Sequence, residues 1–390
     1  MSEESFFTAS WVDNLKLRAS WGQLGNQEIG DYAFYNTYMF GQNYNFGNML
    51  YPGISINEKM ANSIITWEKT DQIDIGVDAD AFGGKLSFTG DFFVKNTKDI
   101  LLELPIPEIV GVKPPMQNAG KVRNTGMEMQ ISHNNQINDF KYYATFNFSY
   151  VHNEITDLSG GDTPGRSVGD PINNIYGYVC EGIFKDQAEI DGHPTQIWGA
   201  KPGDLKYKDL NNDKKIDEND RQSLGTYFPK INYGLRLGFE YKNFDFSALL
   251  QGAGMVNAIV KDEINKAFYN GGKVTEYHLD RWTPDNLDAT YPRLSMKDSK
   301  KNWMTSTFWM QNASYLKMRN MQIGYSLPKR VLEDSGITRL RVYFSVDNLF
   351  TITGFDGVDP ESAYNMKDLS VASSYYPLTR NYSFGVNLSF

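Results

Sequence analysis

The sequence predicts an all-β fold, an antiparallel transmembrane β-barrel. Three observations predict it. Apolar and polar residues alternate with period two in run after run; the polar faces of these runs carry mostly amides, hydroxyls and glycine; and the connections alternate between very short and very long. Successive side chains of a strand point to opposite faces, so each run is a ribbon with one greasy side and one wet side.

The runs follow one another along the whole chain. LKLRASWG opens the series near the start. QIDIGVDAD then sets Ile73, Ile75, Val77 and Ala79 against Gln72, Asp74, Gly76 and Asp78. KLSFTGDFFVK sets Leu86, Phe88, Phe92 and Val94 against Ser87, Thr89 and Asp91, and TGMEMQISHN sets Met127, Met129 and Ile131 against Glu128, Gln130 and Ser132. In FKYYATFNFSYV the apolar set is Phe140, Tyr142, Ala144, Phe146, Phe148 and Tyr150. INYGLRLGFEY and FDFSALLQ are separated only by Lys242 and Asn243, the signature of a tight hairpin. YLKMRNMQIGYS and RLRVYFSVDN precede the last run, RNYSFGVNLSF, in which Tyr382, Phe384, Val386, Leu388 and Phe390 share a face. These make about ten strands of roughly eight to twelve residues, the length that crosses a bilayer at a tilt.

The faces argue for the class. A soluble sandwich, the alternative reading, packs Val, Leu and Ile between its sheets and presents many charges to water. Here the apolar face is rich in aromatics, 14% of the chain with 24 Tyr and 24 Phe, which suits the girdles of a membrane barrel. Long loops are expected at about 23–65, 96–124, 152–230, 252–313 and 348–380. Short turns at one rim and long loops at the other are the layout of outer-membrane barrels. No apolar run reaches the roughly 18 residues of a spanning helix. The net charge of −9 argues against a nucleic-acid partner, whose phosphates need a basic face. The single cysteine, Cys180, makes no internal disulfide, and the opening MSEESFFTASW lacks the charged and apolar segments of a signal peptide, so an export signal is expected outside this sequence.

One stretch has the spacing of a metal site. In DLNNDKKIDEND, Asp209, Asn211 and Asp213 hold the first, third and fifth positions of an EF-hand or dockerin type loop. Lys215 offers a backbone carbonyl at the seventh, Ile216 pins the eighth, and Asp217 and Asp220 fall at the ninth and twelfth. All-oxygen ligands suit Ca²⁺, as a structural ion stiffening a loop. Lys214 stands where glycine is wanted, and Asp220 replaces a bidentate Glu, so weak binding is expected; the alternative is a solvated acidic turn. His133, His152, His193 and His278 show neither ligand spacing nor a nucleophile with its base, so no catalytic residue and no enzyme activity is expected. The glycine-bearing stretch 160–171 lacks phosphate-loop spacing and reads as loop. Trp282, in DRWTPDN, is a candidate stacking platform for a sugar, with a packing anchor as the alternative.

Several stretches resemble the C-terminal part of the SusC/RagA family of TonB-linked outer-membrane transporters: LKLRASWGQLGNQEIG, WEKTDQIDIGVDADAFGGKLSFTGDFF, NAGKVRNTGMEMQIS, GDLKYKDLNNDKKIDENDR, YLKMRNMQIGYSLP, LRVYFSVDNLFTITGFDGVDPE and the terminal Phe390. The resemblance spans nearly the whole of residues 1–390. It implies a Gram-negative outer-membrane location and import of oligosaccharides, or of peptides in some members, with energy passed through TonB and a SusD-like lipoprotein over the extracellular mouth. It also implies about ten C-terminal strands of a roughly 22-stranded barrel. The plug and the TonB-contacting segment are not found in this sequence, so contact with the TonB complex is expected only through a missing N-terminal region. Phe390 would then be the lipid-facing terminal aromatic that the barrel assembly machinery reads. A non-transporting surface protein, adhesin-like or glycan-binding, is the alternative.

Overall fold

The computed structural model describes every residue other than 1, 3, 5, 6, 30, 105, 160–164, 166, 260–264, 299, 334 and 363–377. Among the described residues an eleven-stranded antiparallel sheet dominates. Ten of its strands follow one another in chain order: β1 (Val12–Asn26), β2 (Glu68–Ala81), β3 (Leu86–Glu103), β4 (Met116–Ile137), β5 (Phe140–Asp157), β6 (Ile231–Tyr241), β7 (Phe244–Gly254), β8 (Tyr315–Ser326), β9 (Arg339–Asp347) and β10 (Asn381–Ser389). The eleventh, Thr351–Thr353, pairs with Tyr315–Lys317 at the start of β8. The path is open, ending on β1 and on β10. This is a barrel wall in part.

Register places the alternating sets as the sequence requires. Ile75 stands opposite Ala19 of β1 and Phe92 of β3, and Leu237 opposite Ala144 and Ala248. With a period of two, fixing one such pair fixes the face of every residue in the strand. The apolar face is open: Ile73, Ile75, Phe92 and Phe384 are 50%, 57%, 50% and 86% exposed. A sandwich would hide these side chains beneath a second sheet. A bilayer covers them without one.

The connections alternate. Residues 82–85, 138–139, 242–243 and 327–338 join strands at one rim; 27–67, 104–115, 158–230, 255–314 and 348–380 join them at the other. Asn138 and Lys242, the first residues of the two-residue turns, take φ of 53° and 54°. Mirror-image hairpin turns demand that sign because their twist matches that of the strands. The loop expected at 96–124 is shorter, since β3 and β4 stay paired from Ile100 opposite Gly120 to Glu103 opposite Met116. Likewise the loops expected from 23 and 152 begin after Asn26 and Asp157. Backbone ladders need no apolar side chain, so pairing runs on past the end of the alternation.

The deepest burial lies outside the sheet, in a unit for which the sequence reading had no signal. Ile175, Tyr178, Leu205, Tyr207, Ile216, Tyr227, Ile259, Tyr291 and Trp309 form one core, drawn entirely from the connections 158–230 and 255–314. Short strands stitch it: Asn174–Tyr178 with Arg221–Thr226, Cys180–Ile183 with Leu205–Tyr207, and Thr195–Gln196 with Lys215–Ile216. Asp204, with no exposed surface, accepts from Arg293 Nε at 2.7 Å and Asn302 Nδ2 at 3.0 Å and lies 2.9 Å from Lys301 Nζ. Buried charge survives only when paired and hydrogen-bonded, as here. The two longest loops are therefore one packed cap.

Candidate functional site

The face opposite the apolar one is the chemically equipped surface. A recess of ≈ 520 Å³ is lined by Thr89, Asp91, Gln130, Asn147, Asn232 and Gln251, among others. These residues come from five neighbouring strands, β3 to β7, and register sets them side by side: Thr89 opposite Gln130, Gln130 opposite Asn147, Gly234 opposite both Asn147 and Gln251. One recess can span five strands on one face only if that face is concave, so this is the inner wall. Its lining mixes amide and hydroxyl groups, each able to donate and to accept.

Charge on the wall is mostly neutralised within it. Arg18 of β1 donates from Nε to Asp78 at 2.8 Å and stands 2.9 Å from Asp91 at the recess edge. Arg341 donates from Nε to Asp245 at 2.8 Å and from a terminal nitrogen to Gln322 at 3.0 Å. Glu128, which also lines the recess, is exposed and carries no ion pair among the described residues. Inward aromatics are folded down onto the wall. Phe93 covers Gly126 and Tyr143 covers Gly238, where an added Cβ would meet the tyrosine ring at 2.6 Å. Lys95 lies 4.8 Å from the Phe93 ring and Arg236 5.4 Å from that of Tyr143, in cation–π contact. The glycines keep the wall shallow. In the sequence Thr89, Asp91, Glu128 and Gln130 are legible only as members of polar strand faces; which polar residues share a recess depends on register between distant strands.

The acidic loop is held by its own backbone. Asp209 accepts from the amides of Asn212 at 2.6 Å and Lys214 at 2.9 Å, Asn211 from that of Asp213 at 2.9 Å, and Asp213 from that of Lys215 at 2.8 Å. Asp217 accepts from the Asn219 amide, and Asp220, fully buried, accepts from the amides of Leu210 and Asp217, each at 2.8 Å. Lys214 takes φ of 66°, making without glycine the turn for which the pattern wants one. Ile216 is fully buried, paired in parallel with Gln196. Among the described residues no three or more His, Cys, Asp or Glu side chains are grouped so that they could hold a metal ion.

Trp282 sits in the cap. Its ring lies over Gly203, which has φ of +87° and no room for a Cβ, and its indole N–H donates to the Lys185 carbonyl at 3.2 Å. Phe390 follows the last residue of β10 and is 84% exposed, in line with Phe384 and Leu388 on the outer face. Cys180 is in the cap, where burial pushes its thiol up to about 11. His278, 2% exposed, is spent on the Asn265 carbonyl and on Thr275.

The wall and cap have known counterparts. The family description "TonB dependent receptor-like, beta-barrel" matches residues 6–349. TonB-dependent receptor P3 of Formosa agariphila is 29% identical over 418 residues, covering 100% of this chain and 41% of that protein. TonB-dependent receptor SusC of Bacteroides thetaiotaomicron is 29% identical over 411 residues, covering 100% and 39%. The solved structure of the RagAB peptide transporter superposes with a TM-score of 0.79 at 27% identity, covering 100% of this chain and 42% of that one. The chain thus spans about two-fifths of the length of these relatives.

Proposed function

Because the chain belongs to the TonB-dependent receptor-like β-barrel family of the Gram-negative outer membrane, a family of receptors and transporters rather than enzymes, we propose that it is the C-terminal barrel wall of a SusC-like nutrient importer. The observation that carries this reading is the concave inner wall, with its polar recess, beside a folded cap. A transporter needs a wetted path bordered by groups that bind weakly and in many geometries. Amides and hydroxyls such as Gln130, Asn147, Asn232 and Gln251 supply such bonds without the desolvation cost of fixed charge.

The same lining favours an oligosaccharide as the cargo. Sugars offer many hydroxyls and little charge; of the two acids that line the recess, Asp91 is already answered by Arg18, and Glu128 is free to accept from sugar hydroxyls. Peptides are the second reading, favoured by the likeness to the RagAB peptide transporter. A SusD-like lipoprotein over the cap and a TonB-driven supply of energy complete the proposal. Deleting the gene and growing the bacterium on a panel of glycans and of peptides tests it. Loss of growth on one glycan class is the expected result; normal growth on every substrate sinks the importer reading, and loss on peptides alone replaces the cargo.

We also propose that the acidic loop takes Ca²⁺ weakly. What supports it is the left-handed turn at Lys214 in the sixth position together with carboxylate oxygens that keep a second lone pair after bonding to one amide each. The ion would have to draw Asp209, Asn211, Asp213 and Asp217 together from positions in which they are not grouped around one point, which is why the binding is weak, and it would then stiffen the cap.

A further inference from the structure

The wall cations of β8 hold a segment of the connection that follows β9. Pairing between β7 and β8 slips between Leu249, opposite Asn320, and Leu250, opposite Met318, so Arg319 is an extra residue. A bulge of this kind re-aims side chains. Lys317 and Arg319 both face inward as a result; Lys317 is in register with Gln251, and Arg319 Nε donates to the Gln251 side chain at 2.9 Å. Beyond Thr353 the chain leaves the sheet and folds back onto these two cations. Lys317 Nζ donates to the two oxygens of Asp359 at 3.1 and 3.2 Å and to Glu361 at 3.0 Å, and Glu361 also binds Arg319. Lys317 is 1% exposed and Asp359 8%.

The other end of the segment is fastened to the cap loop 255–314. Asp356 accepts from Tyr277 Oη at 2.8 Å and from Gln311 Nε2 at 3.1 Å, while Phe355 is buried with Val256, Ala258 and Ala313. We propose that residues 354–362 form an ionic latch that straps the cap loop to the inner wall beside the recess, and that its release uncovers more of that wall. The physical reason for a two-state latch is the burial of Lys317. A desolvated ammonium is tolerated only while its carboxylates are in place, so the segment is either fully seated or it leaves and both partners are hydrated. Gln251 links the two parts: it lines the recess and it holds Arg319. Only the purpose of the latch, guarding an import path, rests on the function proposed above. The latch itself is testable with no cargo.

The experiment is hydrogen–deuterium exchange of the whole chain in detergent, comparing the native sequence with Lys317→Met and with Glu361→Gln. Lys317→Met removes the buried cation while keeping an unbranched stem of similar reach. Amides within 354–362 are expected to exchange at least tenfold faster in it, while those of Leu205–Tyr207 in the cap and of the β6–β7 pair keep their native rates. Glu361→Gln leaves Lys317 with Asp359 and is expected to give a smaller increase confined to the same segment, which serves if Lys317→Met does not fold. Unchanged exchange in 354–362 overturns the latch. So does an increase of equal size in the cap and in β6–β7, which makes the ion cluster a general prop of the fold. An importer that fails the growth test leaves these exchange rates untouched, so the two proposals fall separately.

Discussion

Ile75→Arg tests which solvent the outer face meets. Ile75 is at the middle of β2, flanked by Ala19 and Phe92 on the same face, and is 57% exposed. An arginine at the bilayer midplane of a barrel strand costs about 2–4 kcal/mol, or roughly 30- to 900-fold in the folded-to-unfolded ratio. The control is Gln130→Arg on the inner wall, where the side chain is exposed to the aqueous recess. A surface change of that kind is expected to stay within about 0.5 kcal/mol. Urea titration in phospholipid vesicles, followed by circular dichroism, reads both. A loss at Ile75 with none at Gln130 supports a lipid-facing outer surface. Equal effects at the two positions would mean that both faces meet the same medium, and the assignment of faces would be wrong.

Three further outcomes follow from the cap. Asp204→Ala strands Arg293 and Lys301 without their buried carboxylate and should cost about 3–5 kcal/mol in denaturant unfolding of the cap read by Trp309 fluorescence; a loss below 1 kcal/mol contradicts the network. Cys180 should resist iodoacetamide at pH 8 in the folded protein and react once unfolded, because its thiol is raised to about 11 from the ordinary 9.0. Since the folded value lies above the unfolded one, the thiol's contribution to stability is complete below pH 9 and falls away as pH rises towards 11. Calorimetric titration with Ca²⁺ should give a weak, saturating heat that Asp209→Ala removes, and no heat at millimolar metal ends the calcium proposal.

Much of the wall was legible in the chain. The alternation of Ile73, Ile75 and Val77 against Gln72, Asp74 and Gly76 specified both the strand and its two faces, because period two leaves a strand no other way to separate them. The Lys242 and Asn243 turn was legible for the same reason: two residues between two alternating runs permit little but a hairpin. The cap was not. Ile175, Tyr207, Ile216, Tyr291 and Trp309 show no common period, and they meet only because two loops from different strand pairs fold together. Trp282, read in the sequence as a sugar platform or a packing anchor, is placed on Gly203, a contact between residues far apart in the chain.

By itself the amino-acid order determined the strand class, the sidedness of each strand and the tight turns at 138–139 and 242–243, all consequences of local backbone geometry acting on neighbours. Tertiary structure alone decided which polar residues share the recess, that the loops between β5 and β6 and between β7 and β8 build a common core, and that Lys317 is buried against Asp359 and Glu361. Those outcomes depend on register and on contacts across long stretches of chain, where the free energy of a site is set by partners that local sequence does not specify.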